Sequence, residues 1–458
     1  MRGELLDAVR LRVAPAIAAG TAAVFVDEPP LLVAGAILLV GGYAEHGRYP
    51  RHLMPLARVL LRALVPVAAL ALVWAIGRAL GVDLSPHTML ACGIAAWLVL
   101  VAGAWVRGRV EGSRPLRLAL IGPPELADAL ADEIEAAGIH GHEVAGWIAA
   151  GEQAQGSASA PLLGPLDQVG EIVRRDRIDL LMHSVGDPAG SGTGVSRLEL
   201  FATVADQCLE LPVRMIEFDA LYEELLGHVP VGRINSAWFQ HILHPNFHPG
   251  SPLWHRVLDL IAAIVLLPFA LPLIAVAAIA VKLGDRGPAF YRQRRVGQAG
   301  REFGIVKLRT MRVDAQAAGP QWSSESDPRV TRVGRVLRGL HLDELPQLWN
   351  VLRGDMTFVG PRPEQPEIVA ELERRFAYYE PRHLVTPGIT GWAQVRCGYA
   401  GTERGSAFKL CHDLYYLKRR SRFFDALICI ETLRATGGFS PEAITPAAAL
   451  IVGDPETR

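Results

Sequence analysis

The sequence lacks the net charge and the cysteine spacing that mark two common classes of protein. Its 458 residues include 46 Lys and Arg against 47 Asp and Glu, so the formal net charge is −1. A nucleic-acid-binding chain usually carries a basic excess, so no nucleic-acid partner is expected. The 5 Cys residues have no metal-ligand spacing and fit a reducing compartment. We expect all of them to be packing residues.

Apolar residues are abundant instead, at 50% of the chain. Four apolar stretches open the sequence, at residues 13–26, 31–43, 63–81 and 89–106. The last two approach the ~20 residues that a membrane-spanning helix needs. The sequence therefore predicts a membrane protein with a four-helix transmembrane bundle over residues 1–110.

Arginine placement predicts the orientation of these four stretches. Arg residues lie before the first stretch, between the second and the third, and after the fourth, whereas the DEPP and VDLSPH connections contain no Lys or Arg. The positive-inside rule then puts the N-terminus and everything after residue 107 in the cytoplasm. The alternative is that the first pair is a buried hairpin that does not cross.

Residues 115–235 alternate strand and helix patterns, which predicts a parallel, Rossmann-like α/β domain. A dinucleotide site needs glycines in the first strand–helix turn, so that backbone amides approach a pyrophosphate. That turn reads Gly122-Pro123-Pro124-Glu125. Proline removes N–H donors and the Glu carboxylate repels phosphate, so we interpret the domain as degenerate, with a structural or regulatory role.

A fifth apolar stretch, over residues 253–288, contains Pro268 and Pro272 near its middle and has basic residues at both ends. Proline kinks or breaks a helix, and the two basic flanks favour the same side of the membrane. We therefore predict a re-entrant helix over residues 255–282 that is broken at proline and returns to the cytoplasmic face. The alternative is a kinked helix that crosses.

The sequence after this stretch is dense in positive charge. In FGIVKLRTM, Lys307 and Arg309 alternate as side chains on one face of a strand do, and two cations on one face suit a pyrophosphate. A basic strand facing solvent or lipid headgroups is the alternative. Arg338 lies five residues before Asp343 and can turn toward it if that stretch is helical.

Asp343 and Glu344 are adjacent acids, and on a helix neighbouring side chains diverge by about 100°, so they need not share one role. One carboxylate can attack phosphorus and the other can hold Mg²⁺. Arg362, between Pro361 and Pro363, has a restricted backbone and can bind a phosphate with both arms of its guanidinium.

Residues 250–437 resemble the bacterial polyprenyl-phosphate sugar-1-phosphate transferases, also called phosphoglycosyl transferases. Six motifs carry the resemblance in order: PAFYRQRRVG, FGIVKLRTMRVDA, SDPRVTRVGRVLR, LDELPQLWNVLRGDMTFVGPRPE, RHLVTPGITGWAQV and DLYYL. With the apolar N-terminal stretches and the α/β domain, the whole chain is similar to the large polytopic members, which initiate exopolysaccharide, capsule or O-antigen synthesis.

The resemblance implies a reaction and a place. A UDP-sugar donates sugar-1-phosphate to undecaprenyl phosphate, giving a diphosphate-linked lipid sugar and UMP, at the cytoplasmic face of the bacterial inner membrane. We expect UDP-glucose or UDP-galactose as the donor, although no motif distinguishes the sugars. A homodimer through the middle domain is a further expectation.

The resemblance also implies residue roles. Asp343 would form a covalent phosphosugar intermediate and Glu344 would bind Mg²⁺. Lys307, Arg338 and Arg362, together with Arg309, would bind the phosphates or the nucleotide. Residues 250–437 would form an α/β catalytic domain, and residues 438–458 a loose tail.

Several positions depart from the family pattern. Leu308 stands where Phe is usual, and Leu271 stands where Ser often precedes the proline of the helix break. Leu340-His341 replaces Thr-Ser before the acids, and Arg396-Cys397 replaces Asn-Gly after GWAQV. The last two changes could alter substrate preference, and we expect His341 to pack rather than to contact substrate.

Two other functions fit the layout less well. Membrane-bound nucleotide-sugar dehydratases share it but need a glycine-rich NAD loop and a Tyr-x-x-x-Lys pair, and the sequence has neither. A catalytically silent scaffold for polysaccharide assembly is the second alternative, and the presence of Asp343, Glu344, Lys307 and Arg362 argues against it.

Overall fold

The structure is a computed structural model. It describes residues 115–150, 159–184, 196–234, 238, 253–313, 315, 327–376, 378–397 and 403–436. The chain divides into two compact units between Leu226 and Gly227. The four apolar N-terminal stretches and the tail after residue 437 lie outside the described residues, so the predicted bundle and loose tail stay predictions.

The first unit contains a sheet of five parallel strands in the order β3-β2-β1-β4-β5. The strands are β1 Leu116–Ile121, β2 His142–Ala149, β3 Leu162–Pro165, β4 Leu180–His183 and β5 Arg214–Glu217. The helices are α1 Pro124–Ala136, α2 Val169–Arg175, α3 Arg197–Cys208 and α4 Phe218–Leu226. This is the alternation that the sequence predicts, and the strand order reverses direction between β1 and β4, as in doubly wound folds.

The core of this unit explains the near-continuous apolar strands. Ile121, Ile148 and Leu181 are fully buried and pack with residues of α2 and α3. Pro123 and Pro124 begin α1 without a side-chain cap. Because proline has no N–H, the first turn of α1 offers few donors to a phosphate.

The second unit contains the long helix and the elements that follow it. The helices are α5 Leu253–Asp285, α6 Arg332–Gly339, α7 Leu348–Arg353, α8 Pro366–Arg375, α9 Trp392–Cys397, α10 Glu403–Arg419 and α11 Arg422–Thr436. The strands are β6 Phe290–Val296, β7 Glu302–Leu308, β8 Thr357–Val359 and β9 Gly388–Thr390. β6 and β7 form an antiparallel hairpin, and β8 pairs with β9 in parallel.

Residues Gly227–Ile234 belong with this second unit rather than with the α/β domain to which the sequence assigned them. The Trp392 indole donates to the Gly227 carbonyl at 2.7 Å, and the Val229 N–H donates to the Cys411 carbonyl at 3.1 Å. Cys397 and Cys411 are buried and unbridged, as expected of packing residues.

α5 is a single helix of 33 residues that continues through Pro268 and Pro272. The two prolines therefore do not divide it into separate helices, and this differs from the predicted break at proline. Each proline lacks the N–H that would donate one helical hydrogen bond, yet the helix ends at neither of them. Among the described residues, His255–Gly284 is the one helix that is long and apolar enough to cross a membrane, by length and composition.

One face of α5 packs on the other elements of the second unit, through Ala263, Ala277 and Val281. Large apolar side chains on its other faces are exposed, among them Ile264, Phe269 and Val276. The small residues allow close approach of the helix to the protein, and the exposed ones are what a lipid-facing surface requires. The described part of the chain is thus mixed α/β with one candidate membrane helix.

Candidate active site

Three segments that are far apart in sequence meet at the acidic pair. β7 carries Lys307 near its end, the turn of 3₁₀-helix Leu342–Gln347 carries Asp343 and Glu344, and the loop after β8 carries Arg362. His341 precedes the turn with a φ of 54°, in the left-handed region. This residue stops α6 and redirects the chain into the tighter helix, where neighbouring side chains diverge by about 120°.

Glu344 is held by two cations. Lys307 Nζ lies 2.7 Å from Glu344 Oε1, and Arg362 Nη2 lies 2.7 Å from the same oxygen. Arg362 Nη1 donates to Oε2 across a longer 3.4 Å. Although burial pushes the pKa of Glu344 upward, Arg362 and Lys307 together lower it well below its usual value. Glu344 is therefore a permanent anion at neutral pH.

Asp343 is in the opposite situation. Its side chain is buried, at 9% exposed, and within the described part of the chain no hydrogen-bond donor or cation pairs with its carboxylate. Burial raises the pKa of Asp343, and the neighbouring Glu344 charge raises it further against the pull of Lys307, Arg338 and Arg362. Its oxygens remain available to a reacting group.

The two remaining predicted cations occupy different positions. Arg338 lies in the last turn of α6, donates from Nε to Thr310 Oγ1 at 3.0 Å, and is near enough to lower the pKa of Asp343. Arg309 is buried just past the end of β7, and its guanidinium packs so closely on Gly287 that a Cβ there would clash. The structure therefore brings Lys307, Arg338 and Arg362 to the acids but turns Arg309 toward the end of α5.

His341 does not pack, because its side chain is exposed. The expectation of a packing role is wrong, and the physical reason is its left-handed backbone. That conformation swings the side chain of a turn residue away from the helix that precedes it.

The acidic pair fits the ligand chemistry of Mg²⁺, a cation that takes one or two carboxylates and completes its shell with phosphate oxygens and water. Glu344 Oε2 has only the longer contact with Arg362, and the Asp343 oxygens are open. In the described portion no three His, Cys, Asp or Glu side chains gather into a complete metal site. Phosphate and water oxygens would therefore have to supply most of the ligands.

A second layer of buried charge lies behind Arg362, and sequence reasoning gave it no role. Arg382 donates to Asp413 from Nε at 3.1 Å and from Nη2 at 2.7 Å. Arg295 contacts Glu364 at 3.3 Å. All four residues lie inside motifs that carry the family resemblance, but nothing in a one-dimensional pattern indicates which backbone groups they hold.

Comparison with known proteins gives a family match that lies within the second unit. The sequence profile described as "Bacterial sugar transferase" matches residues 251–437.

Curated proteins are also similar to this chain. The chain is 38% identical over 231 residues to the UDP-N-acetylgalactosamine-undecaprenyl-phosphate N-acetylgalactosaminephosphotransferase of Aeromonas hydrophila, covering 50% of this chain and 53% of that protein. It is 34% identical over 291 residues to a UDP-glucose:undecaprenyl-phosphate glucose-1-phosphate transferase of Xanthomonas campestris pv. campestris, covering 62% and 58%.

A third relative is covered more completely. The chain is 42% identical over 194 residues to the UDP-glucose:undecaprenyl-phosphate glucose-1-phosphate transferase of Caulobacter vibrioides, which is 40% of this chain and 73% of that protein. The alignments with the first two relatives span just over half of their length.

Proposed function

Because the chain belongs to the bacterial sugar transferase family, we propose that it transfers sugar-1-phosphate from a UDP-sugar to undecaprenyl phosphate. The products are undecaprenyl-diphosphate-sugar and UMP. The names of the relatives describe this type of transfer for those proteins. The product would begin the assembly of an exopolysaccharide, capsule or O-antigen.

The observation that carries the proposal is the contrast between the two neighbouring acids. An Asp343 oxygen attacks the phosphorus that bears the sugar, and the bond from that phosphorus to the bridging oxygen breaks as UMP leaves. An oxygen of undecaprenyl phosphate then attacks the same phosphorus and releases the Asp343 carboxylate. Asp343 suits this role because its oxygens are unpaired within the described residues, whereas Glu344 is fixed by Lys307 and Arg362.

The cations supply charge where the reaction needs it. Arg362 and Lys307 lie beside the acids, where they can stabilise the negative charge that spreads over phosphoryl oxygens. Arg338 and Arg309 complete the proposed phosphate-binding set, with Arg309 the more distant. Mg²⁺, when bound through Glu344, would neutralise diphosphate charge, and the side chains would orient the donor.

The packing of α5 supports a helix that bends and returns to the same leaflet. Ala263 belongs to the same buried cluster as Ile305, whereas Ala277 and Val281 belong to the cluster that contains Leu308, three residues further along β7. Three strand residues span about 10 Å, but fourteen residues of straight helix span about 21 Å. Bending at Pro268 and Pro272 would bring the two ends together and hold the acids at the headgroup plane, where the lipid phosphate lies.

Other parts of the proposal extend beyond the second unit. We place the protein in the bacterial inner membrane, multi-pass through the four N-terminal stretches, with the catalytic region at the cytoplasmic face. A homodimer through the α/β domain is part of the same proposal. For the donor we propose a hexose, UDP-glucose or UDP-galactose, in line with two of the three relatives named above.

The experiment is UMP release by the full chain in nanodiscs, with a panel of UDP-sugars, undecaprenyl phosphate and Mg²⁺. We expect UMP with one sugar, dependent on lipid and metal. Asp343→Asn, which keeps the shape of the side chain, should release none. No UMP with any sugar from a folded protein would favour the silent scaffold instead.

A further inference from the structure

The loop that carries Arg362 is fixed by its backbone carbonyls. Each of the four consecutive carbonyls of residues 361–364 accepts a hydrogen bond. The donors are Gly388 N–H to Pro361 at 3.0 Å, Arg382 Nη2 to Arg362 at 2.9 Å, Arg295 Nη1 to Pro363 at 3.0 Å and Val296 N–H to Glu364 at 2.9 Å.

This arrangement follows from the two prolines. Pro361 and Pro363 have no N–H, so the loop cannot join a regular strand pairing that uses both donors and acceptors. Carbonyls are the backbone groups that all four residues still offer, and side chains supply two of the four donors. The position of Arg362 therefore depends on other arginines.

Arg382 is the more constrained of these two donors. It is buried, at 4% exposed, and it uses its guanidinium in three directions. Nε and Nη2 meet Asp413 Oδ2, Nη1 donates to the Tyr379 hydroxyl at 2.6 Å, and Nη2 also reaches the Arg362 carbonyl. The cation lies 5.0 Å from the centroid of the Tyr379 ring.

Such a group is costly to bury unless its charge is matched and its donors are satisfied. Asp413, itself buried, matches the charge. The remaining directional bond goes to the backbone of a residue whose side chain lies on Glu344 at 2.7 Å. The chain of contacts thus runs from Asp413 through Arg382 to Arg362 and ends at Glu344.

We infer that Arg382, oriented by Asp413, is a positioning residue that sets where the Arg362 guanidinium meets Glu344 and the donor phosphates. Arg382 does not itself touch substrate. The inference rests on the proposed function for its kinetic consequence, but the contacts it describes exist without substrate.

Double-mutant cycles test the inference in two independent readouts. The first is thermal unfolding without substrate, for Arg382→Lys, Glu344→Gln and the double variant. Lysine keeps the buried charge but cannot bond Asp413, Tyr379 and the Arg362 carbonyl together. We expect the two shifts in Tm to be non-additive, because both changes disrupt the same chain of contacts.

The second readout is kcat/KM for UMP release. Arg382→Lys should lower it by about tenfold in the natural background and by less than about twofold when Arg362 is already Ala. Asp413→Asn should show the same dependence on background and serves if Arg382→Lys does not fold. Tyr222→Phe, which removes a buried hydrogen bond to Glu133 in the other unit, is the matched control and should act equally in both backgrounds.

Additive Tm shifts, or equal losses of kcat/KM with and without Arg362, would reduce Arg382 to ordinary core packing and overturn the inference. If the unaltered chain releases no UMP, the proposed function fails, and the thermal cycle still decides whether Arg382 and Glu344 are coupled.

Discussion

At the scale of single residues, the pKa values of Asp343 and Glu344 are shifted in opposite directions although the two residues are neighbours. Lys307 and Arg362 contact Glu344 directly and lower its pKa, while burial and the Glu344 charge raise that of Asp343. Environments that push the pKa values of two acids apart are typical of sites where the acids have separate roles. In the proposed reaction, Glu344 thus provides constant charge, and Asp343 would provide the reactive oxygen.

This difference predicts the pH dependence of kcat/KM. Asp343 must be ionised to attack, so activity should fall as pH drops through its raised pKa, above the ordinary 3.8. Burial lowers the pKa of Lys307 below the ordinary 10.5. Activity should therefore also fall as pH rises through this lowered pKa. The result is a bell with both limbs moved toward neutrality.

Initial rates of UMP release from pH 4 to 10 in constant-ionic-strength buffers would check this (about one measurement per half pH unit). Lys307→Arg is the matched variant, because its guanidinium does not titrate in this range, and it should move only the alkaline limb. An acid limb at the pKa of a free aspartate would contradict the burial of Asp343.

The residue types at the site could be predicted from sequence, but their contacts could not. Adjacent acids, a Lys on a strand and an Arg between prolines are visible in one dimension. The exposed position of His341 and the turning of Arg309 toward Gly287 depend on one left-handed backbone angle and on the close approach of a loop. Neither has a periodic signal.

At the scale of elements, the first turns of α5 contact two elements that adjoin the site, α7 and β8. Arg256 donates to the Val351 and Leu352 carbonyls at the end of α7, which follows directly on the turn that carries Glu344. Asp259, one turn later on the same face, accepts from Thr357 Oγ1 at 2.8 Å and from the Phe358 N–H at 3.2 Å, in β8. β8 leads into the loop of Arg362.

We therefore expect Arg256→Gln to lower both the stability of the protein and its catalytic activity. The last carbonyls of α7 would lose a cationic cap, which is worth about 0.3–2 kcal/mol at a helix C-terminus. The variant should unfold at a lower temperature and lose several-fold in kcat/KM for UMP release, measured together in nanodiscs.

Arg294→Gln is the control for this experiment. Its ion pairs with Glu302 and Glu367 are exposed, and exposed pairs contribute about 0–1 kcal/mol. The control should change neither quantity appreciably. Equal effects of the two substitutions would show that α5 does not support the site through Arg256.

Whole elements were easier to predict than their local geometry. The alternating α/β pattern and the strand that carries Lys307 follow from apolar periodicity, and a helical segment within 253–285 follows from the long apolar run. The 3₁₀ form of Leu342–Gln347 and the continuity of α5 through its prolines do not, because both depend on the tertiary packing of that turn and helix.

At the scale of the whole molecule, the account requires both ends of α5 to face the cytoplasm. Arg256 and Lys282 lie near the two ends, and the catalytic elements follow the second. We expect cysteines placed at Ser251 and Pro288, in a chain whose five native cysteines are Ala, to react with a membrane-impermeant maleimide from the same side in inverted vesicles.

A cysteine in the DEPP connection, at Asp27, is the matched reporter for the opposite side and should react only in right-side-out preparations. Labelling of the Ser251 and Pro288 positions from opposite sides would mean that α5 crosses the membrane. The UDP-sugar and the acids would then lie on different sides, and the proposed reaction would be impossible in this orientation.

The most direct test of the central claim is to look for sugar phosphate on Asp343. The full chain in nanodiscs would be incubated with UDP-glucose or UDP-galactose and Mg²⁺ without undecaprenyl phosphate, quenched in acid, digested and analysed by mass spectrometry. The account predicts a hexose phosphate on the peptide that contains Asp343. That adduct should disappear when lipid is added and be absent in Asp343→Asn. An unmodified Asp343 in protein that still releases UMP, or an adduct that persists in Asp343→Asn, would contradict the covalent role of this residue.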